Sequence, residues 1–297
     1  MNIGIYLYAK VHQHNGFYMN MLPLHSVFTF LFFPFFSCNS EVNQSFTQIN
    51  SSVKQMEQVF EKTIHDSLPV RDISKLFNSK AYLTGKIKYS DYPDFVKVDK
   101  SHTTKTDEYI RADVYEAFQK MHDEALKSGV TLTIVSGARN FERQKGIWEA
   151  KWNGERKVEG KNLALEIKDP NERARLILLY SSMPGTSRHH WGTDIDINSL
   201  EDAYFLTGKG KTEYEWLREN ASRFGFCQVY SPKGIERPNG YEEEKWHWSY
   251  MPVASVLLQN YLENVTENDI SGFAGATTAA DLKVIEHYVK GINPLCR

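Results

Sequence analysis

Two short stretches hold the side chains best suited to hydrolytic chemistry. The first, SRHHWGTDIDI at residues 187–197, sets His189 and His190 beside Asp194 and Asp196; the second, EEEKWHWSY at 242–250, places His247 three residues after Glu244. Zinc enzymes that cleave amides need three protein ligands, an open position for water and a carboxylate close enough to take that water's proton. His189, Asp196 and His247 could supply the ligands, and Glu244 the base. On a strand, residues two apart face the same way, so Asp194 and Asp196 share a direction and either could reach an ion beside His189. The residues alone leave that choice open. Taken singly, each side chain also has an ordinary structural reading: a lone histidine is more often hydrogen-bonded than ligating, and Glu242, Glu243 and Glu244 could be a solvated acidic run. Two carboxylates at strand spacing, a His-rich turn containing Gly192 and a Trp-flanked histidine on a second strand form an unusual combination.

These residues need elements to position them, and the sequence marks several. RADVYEAFQKMHDEALKSG (111–129) spaces Val114, Ala117, Phe118, Met121 and Ala125 as one helical face, with Gly129 at the stop. VTLTIVSG (130–137) then alternates as a strand. RNFERQKGIWEAKW reads as a loop and short helix, and DPNERARLILLY starts a helix with Asp169 as N-cap and Pro170 at its first position. GTDIDIN, FCQVY and KWHWSY read as short strands, and TEYEWLRENASRFG as a helix closed by Gly225. MPVASVLLQNYLENV and TAADLKVIEHYVKGI follow as two covering helices, the second with a Thr278–Asp281 capping box and Leu282, Ile285 and Val289 on one face. Helices grouped around clustered short strands predict an α+β domain with a small, mainly antiparallel sheet that carries the metal site.

Composition narrows the partners. Lys plus Arg number 35 against 37 for Asp plus Glu in 297 residues, so no basic field favours nucleic acid. The three cysteines, Cys38, Cys227 and Cys296, form no C-x-x-C pair, so a metal must be held by histidine and carboxylate. Cys227 and Cys296 are open to two readings, a single bridge in an oxidising compartment or two buried thiols.

PGTSRHHWGTDID resembles the Ser-x-His-x-x-Gly-x-Ala-x-Asp motif of the zinc D-alanyl-D-alanine carboxypeptidases of the vancomycin-resistance type, and EKWHW resembles their Glu-x-x-His segment. SGARNFERQ is similar to their Ser-Gly-Tyr-Arg-Ser-x-x-x-Gln element, with Ala138 in place of the aromatic. The likeness covers about residues 105–255 and implies the fold shared by D-Ala-D-Ala peptidases, lysostaphin-type endopeptidases and the hedgehog signalling domain. It implies a zinc metallopeptidase in which His189, Asp196 and His247 bind Zn2+ and Glu244 is the catalytic base, with no covalent acyl-enzyme. Asp194 takes the motif's Ala position, and the spacing from His189 favours Asp196 as ligand. Arg139 would grip the substrate's C-terminal carboxylate or support charge at the reacting centre. Gln144 and Ser187 would hydrogen-bond the substrate backbone, and His190 would be structural or support the ligands.

The resemblance makes the expected substrate the peptidoglycan stem peptide, losing its terminal D-alanine; an L,D-carboxypeptidase, a cross-link endopeptidase or a non-catalytic zinc-containing wall-binding protein are the alternatives. The N-terminal region agrees with such a substrate. Its apolar run from Val27 to Phe36 is too short to span a bilayer and contains Pro34, which suits a signal peptide over 1–38. Ser37-Cys38 after that run resembles a lipoprotein signal, which would make lipidated Cys38 a membrane attachment. A polar tether over 39–67 and a catalytic domain over 68–297 complete the expected organisation. The expected location is outside the cytoplasm, periplasmic or membrane-anchored.

Overall fold

In the stretch 130–136, Val130, Leu132, Ile134 and Ser136 are buried while Thr131 is exposed, so the period-two pattern does place one side against a core. The computed structural model from which this is read describes residues 79–296. The leader expected over 1–38 with Cys38, the tether over 39–67 and the domain start at 68 lie outside the described residues. Among those described, no helix is long and apolar enough to cross a membrane.

A one-turn helix, α1 (Lys80–Leu83), precedes an antiparallel ribbon of β1 (Phe95–Lys97) and β2 (Tyr109–Arg111) that the sequence pattern did not reveal. Helix α2 (Ala112–Lys127) buries Val114, Ala117, Phe118, Met121 and Ala125 as their spacing predicts, and Gly129 follows it at φ 73°, a left-handed conformation that glycine adopts without strain. Next come β3 (Ile134–Ser136) and α3 (Phe141–Trp152), whose cap Asn140 accepts from the Arg143 N–H. Helix α4 (Leu163–Glu166) leads to α5 (Pro170–Ile177), with Asp169 accepting from the Asn171 N–H. After β4 (Asp194–Ile197), helix α6 (Gly208–Asn220) runs into a 3-10 turn ended by Gly225 at φ 82°. Strands β5 (Phe226–Cys227) and β6 (His247–Tyr250) then precede α7 (Met251–Asn264) and α8 (Thr278–Asp281).

The architecture is α+β. Strands β3, β4, β6 and β5 form a four-stranded sheet in that order, antiparallel throughout. Its register pairs Asp196 with His247 and Asp194 with Ser249, while Ile195 lies opposite Trp248. One face therefore carries Ile134, Ile195, Ile197 and Trp248 into a core shared with Phe118, Met121 and Leu217. The opposite face carries Asp194, Asp196, His247 and Ser249, all buried. A second apolar core, with Trp148, Trp191, Leu257 and Tyr261, brings the later helices over this side of the domain.

Three expectations need correction. FCQVY pairs only through Phe226 and Cys227, because the Val229 and Tyr230 carbonyls accept from Asn293 and Glu244 instead. The final helix is broken: α8 has four residues, Lys283 sits at φ 48°, and a separate π-helical turn covers Ile285–Val289. Leu282, Ile285 and Val289 are nonetheless buried. Thr278 lies inside α8 with its hydroxyl donated to the Gly275 carbonyl, so it cannot cap; the capping box occurs instead at Thr266 and Asp269.

Cys227 and Cys296 form a disulfide across a sequence separation of 69, which ties the last turn to β5. His190 ties two loops in the interior: its Nδ1 donates to the Arg139 carbonyl at 2.5 Å and its Nε2 accepts from the Gly185 N–H at 3.0 Å. Burial pushes its pKa down to about 3, since the ring must stay neutral to keep both bonds.

Two outcomes are expected. Cys296→Ser should lower the unfolding free energy by about 2–4 kcal/mol in denaturant melts, and a reductant should weaken the wild type but not the variant. Because the folded pKa of His190 lies below its unfolded value, its contribution is complete above pH 6.5 and is lost as pH falls from there toward 3. Melts of His190→Asn at pH 7, 6 and 5 should show a shallower acid loss than the wild type; parallel slopes would contradict this account.

Candidate metal centre and active site

The site is built from one turn and two paired strands. Ser187 starts a 3-10 turn over Arg188–Trp191 that presents His189, and Gly192 closes it at φ 69°. A Cβ on Gly192 would stand 2.4 Å from Phe95 Cε1, so ribbon and turn approach as only glycine permits there. Two residues later the chain enters β4 with Asp196 directly opposite His247 on β6. Glu244 is set beside them by its N–H, which donates to the Tyr230 carbonyl.

Ligand atoms of His189, Asp196 and His247 converge within 4.8 Å of one another, and all three residues are buried. Asp196 Oδ1 lies 3.3 Å from His189 Nε2 and 3.2 Å from His247 Nδ1. That oxygen is nevertheless a buried atom with no aligned hydrogen bond. The far side of each ring is already committed. His189 Nδ1 donates to the Gly137 carbonyl at 2.7 Å, and His247 Nε2 donates to Asp194 Oδ2 at 2.8 Å. Both rings thus direct their remaining nitrogen at Asp196, an arrangement in which outer hydrogen bonds orient histidine ligands. The donor set of two imidazoles and a carboxylate, with an orphaned oxygen between them, fits a tetrahedral divalent ion with one position left open.

The electrostatics point the same way. Burial raises the Glu244 pKa to about 8, Asp196 adding to the effect while His247, Arg139 and Lys151 oppose it. For His247 burial works against charge, yet hydrogen bonds and charges from Asp194 and Asp196 lift it to about 10. Both shifts reflect buried carboxylates that call for positive charge at the point where the three donors meet. The side-chain oxygens of Glu244 and His247 Nδ1 approach to 3.4 Å, so the carboxylate stands at the edge of the donor set without belonging to it.

The pair left open by the residue types is separated by the fold. Asp194 is enclosed: Arg188 Nε and His247 Nε2 reach Oδ2 at 3.0 and 2.8 Å, while the Ser249 and Thr193 hydroxyls donate to Oδ1, each at 2.7 Å. Against the cost of burial, Arg188 and His247 hold Asp194 well below the usual carboxylate range. It orients His247 and leaves the inward position to Asp196. His190 is turned away to Arg139 and Gly185.

A cleft of about 460 Å3 opens onto these groups and includes Arg139, Ser187, Tyr230 and Glu244 in its wall. Arg139 Nη2 lies 3.6 Å from Asp196 Oδ2, and its buried Nε has no partner. Gln144 falls elsewhere than expected. Its Nε2 donates to the Ser182 carbonyl at 2.7 Å and it stands behind the cleft wall, so it supports Ser182, which lines the cleft, in place of meeting a substrate backbone directly. Of the acidic run only Glu244 enters the cleft; Glu242 pairs with Lys233, and Glu243 with Lys245.

Sequence reasoning missed Arg188, Ser249, Lys151 and Tyr230. Arg188 lies between Ser187 and His189 in the 3-10 turn, and Ser249 follows His247 by two on the same face of β6, so its burial follows from strand alternation. No local pattern marks Lys151 or Tyr230, which reach the cleft through the packing of α3 and the segment after β5.

Comparisons with known proteins find several similar chains. Residues 107–253 match the VanY family, described as D-alanyl-D-alanine carboxypeptidase. The chain is 34% identical over 204 residues to a putative carboxypeptidase, YodJ, of Bacillus subtilis (strain 168), covering 64% of this chain and 65% of that protein. It is 35% identical over 138 residues to a D-alanyl-D-alanine carboxypeptidase of Enterococcus faecalis (strain ATCC 700802 / V583), covering 46% and 47% respectively. The chain therefore spans less than two thirds of the length of either relative. Among solved structures, the LdcB LD-carboxypeptidase aligns with 28% identity and a TM-score of 0.40 over 59% of this chain and 79% of its own. Over residues 107–253, just under half of its length, the chain is similar to the VanY family of D-alanyl-D-alanine carboxypeptidases.

Proposed function

We propose that this protein is a zinc-dependent carboxypeptidase that removes the terminal D-alanine of peptidoglycan stem peptides. The observation that carries the reading is the convergence of His189 Nε2, Asp196 Oδ1 and His247 Nδ1 beside Glu244, at the floor of a cleft that also holds Arg139. Zinc held by the three donors would polarise the scissile carbonyl and bring the pKa of water toward about 7.

The protein groups divide the remaining work. Glu244 accepts the proton of the attacking water and returns it to the leaving amine; its enclosed position keeps the carboxylate poorly solvated and hence more basic than a surface glutamate. Arg139 offers the planar, always charged guanidinium that suits a terminal carboxylate, and it lines the cleft. Its backbone is fixed at both ends, since the N–H donates to the His189 carbonyl and the C=O accepts from His190. Ser187 brings a hydroxyl to the same wall.

Removal of a terminal residue, as opposed to internal cleavage, is favoured by that fixed cation inside the cleft. Export belongs to the same reading: the substrate class lies outside the cytoplasm, and the apolar run Val27–Phe36 ahead of Ser37-Cys38 supports a leader with Cys38 as a lipid attachment.

Mass spectrometry of stem pentapeptides incubated with the zinc-loaded protein should show loss of one D-alanine. Loss of a different fragment would assign an L,D or endopeptidase specificity, and zinc binding without turnover would assign a binding protein. Glu244→Gln should keep one zinc per chain and lose about 10²–10⁴ in kcat; undiminished turnover would remove Glu244 from the base role. Asp194→Asn should weaken zinc affinity by about 10–100-fold in competition with a chelator, because His247 loses its orienting carboxylate.

A further inference from the structure

Lys151 occupies the last turn of α3, with its side chain in the wall of the catalytic cleft. Its Nζ donates to the Ser181 hydroxyl at 2.5 Å, and this neutral oxygen is its only hydrogen-bond partner among the described residues. An ammonium has three donors, so two remain unspent. No carboxylate of the described residues lies in ion-pair contact with it, whereas Lys97, Lys233 and Lys245 each pair with a carboxylate at 2.6–3.0 Å. Arg156 and Lys157 continue the same wall, are exposed, and form no ion pair among the described residues.

The position is electrostatically unfavourable as it stands. Burial pushes the Lys151 pKa down to about 8, and the neighbouring charges of Arg156 and Arg139 push in the same direction against the opposing pull of Glu244. A partly desolvated cation with unspent donors, flanked by further cations and facing a cleft, is complementary to an anion that arrives from outside. Glu244 does not meet this need by contact, being set against His247. Arg139 is the cation nearest the metal donors and is used, in the function proposed above, for the terminal carboxylate.

We propose that Lys151 is a specificity-determining residue whose ammonium receives a second carboxylate of the substrate, one upstream of the terminal carboxylate. The inference rests on the carboxypeptidase reading for the identity of the peptide. The class of substrate selected is then the stem peptide with free acidic groups, in preference to its amidated form. Both the α-carboxylate of the γ-linked D-glutamate and the second carboxylate of diaminopimelate have this chemistry.

The test uses the full chain loaded with zinc and four synthetic stem pentapeptides: the fully acidic form, each singly amidated form and the doubly amidated form. Dissociation constants are measured on Glu244→Gln, alone and combined with Lys151→Gln, Lys151→Glu or Lys151→Arg; KM and kcat are measured in the wild-type Glu244 background. The acidic peptide should bind about tenfold more tightly than the doubly amidated one, consistent with one hydrogen bond to a charged group. The singly amidated pair identifies which carboxylate is read. Lys151→Gln should remove the preference by raising KM for the acidic peptide with the affinity for the amidated peptide unchanged; because the Lys151 charge also acts on Glu244, kcat should shift alike for all four peptides and leave the acidic-to-amidated ratio as the readout. Lys151→Glu should invert the preference, and Lys151→Arg should restore most of it. An equal acidic-to-amidated ratio in the wild type and in Lys151→Gln overturns the proposal. Absence of turnover on all four peptides would instead count against the carboxypeptidase reading, while the binding ratios still decide the role of Lys151.

Discussion

Everything in this domain is arranged around the burial of ionisable groups on one face of a four-stranded sheet. Asp194, Asp196, His189, His247, Glu244 and Arg188 are all nearly inaccessible to solvent. Such groups are tolerable only when each has a partner of opposite charge or a directed hydrogen bond. Asp194 meets this condition with four donors, and Arg188 shares itself between Asp194 and Ser249 while stacking over Trp191 at 4.9 Å. The register of β4 against β6 is consequently under strict control. A slip of one residue would send Ile195 and Trp248 into the polar cluster and the aspartates into the apolar core.

The apolar cores do more than stabilise; they set where the His189 turn lies. Trp191 is buried and donates to the Leu83 carbonyl, fastening the turn to α1. Phe95 of the ribbon closes on Gly192, and Tyr261 of α7 donates to the Gly185 carbonyl at the other end of the segment. Gly85 belongs to the same packing: a Cβ there would stand 2.4 Å from His190 Nδ1. His189 is thus held from both sides by residues far away in the chain, which is how a site needing positions accurate to a fraction of an ångström can rest on a short turn.

The cleft is asymmetric in a way that suits its chemistry. Its floor concentrates carboxylates and imidazoles, a combination selective for a cation, while Arg139 and Lys151 bring positive charge to the wall. The floor and the wall are linked through Arg139, which reaches toward Asp196 and is held by His190.

Much of this was legible in local patterns. Helical spacing located α2, the Asp169 cap with Pro170 located the start of α5, and the Asp-Ile-Asp-Ile alternation located β4, because these depend on contacts within a few residues. The motif likeness likewise singled out His189, Asp196, His247 and Glu244. The ribbon and the place of Gln144 were not legible, since each depends on a partner remote in sequence: Arg111 with Phe95, and the Ser182 carbonyl. The choice between Asp194 and Asp196 belongs to the same class. Their spacing puts both on one face by strand geometry alone, but only the packing of Arg188, Thr193 and Ser249 around Asp194 directs one aspartate to orient His247 and leaves the other facing the converging nitrogens. The sequence by itself determined which residues could take part and which side of a strand they occupy; the tertiary structure decided their roles, because a role depends on which atoms lie within about 3 Å across the fold.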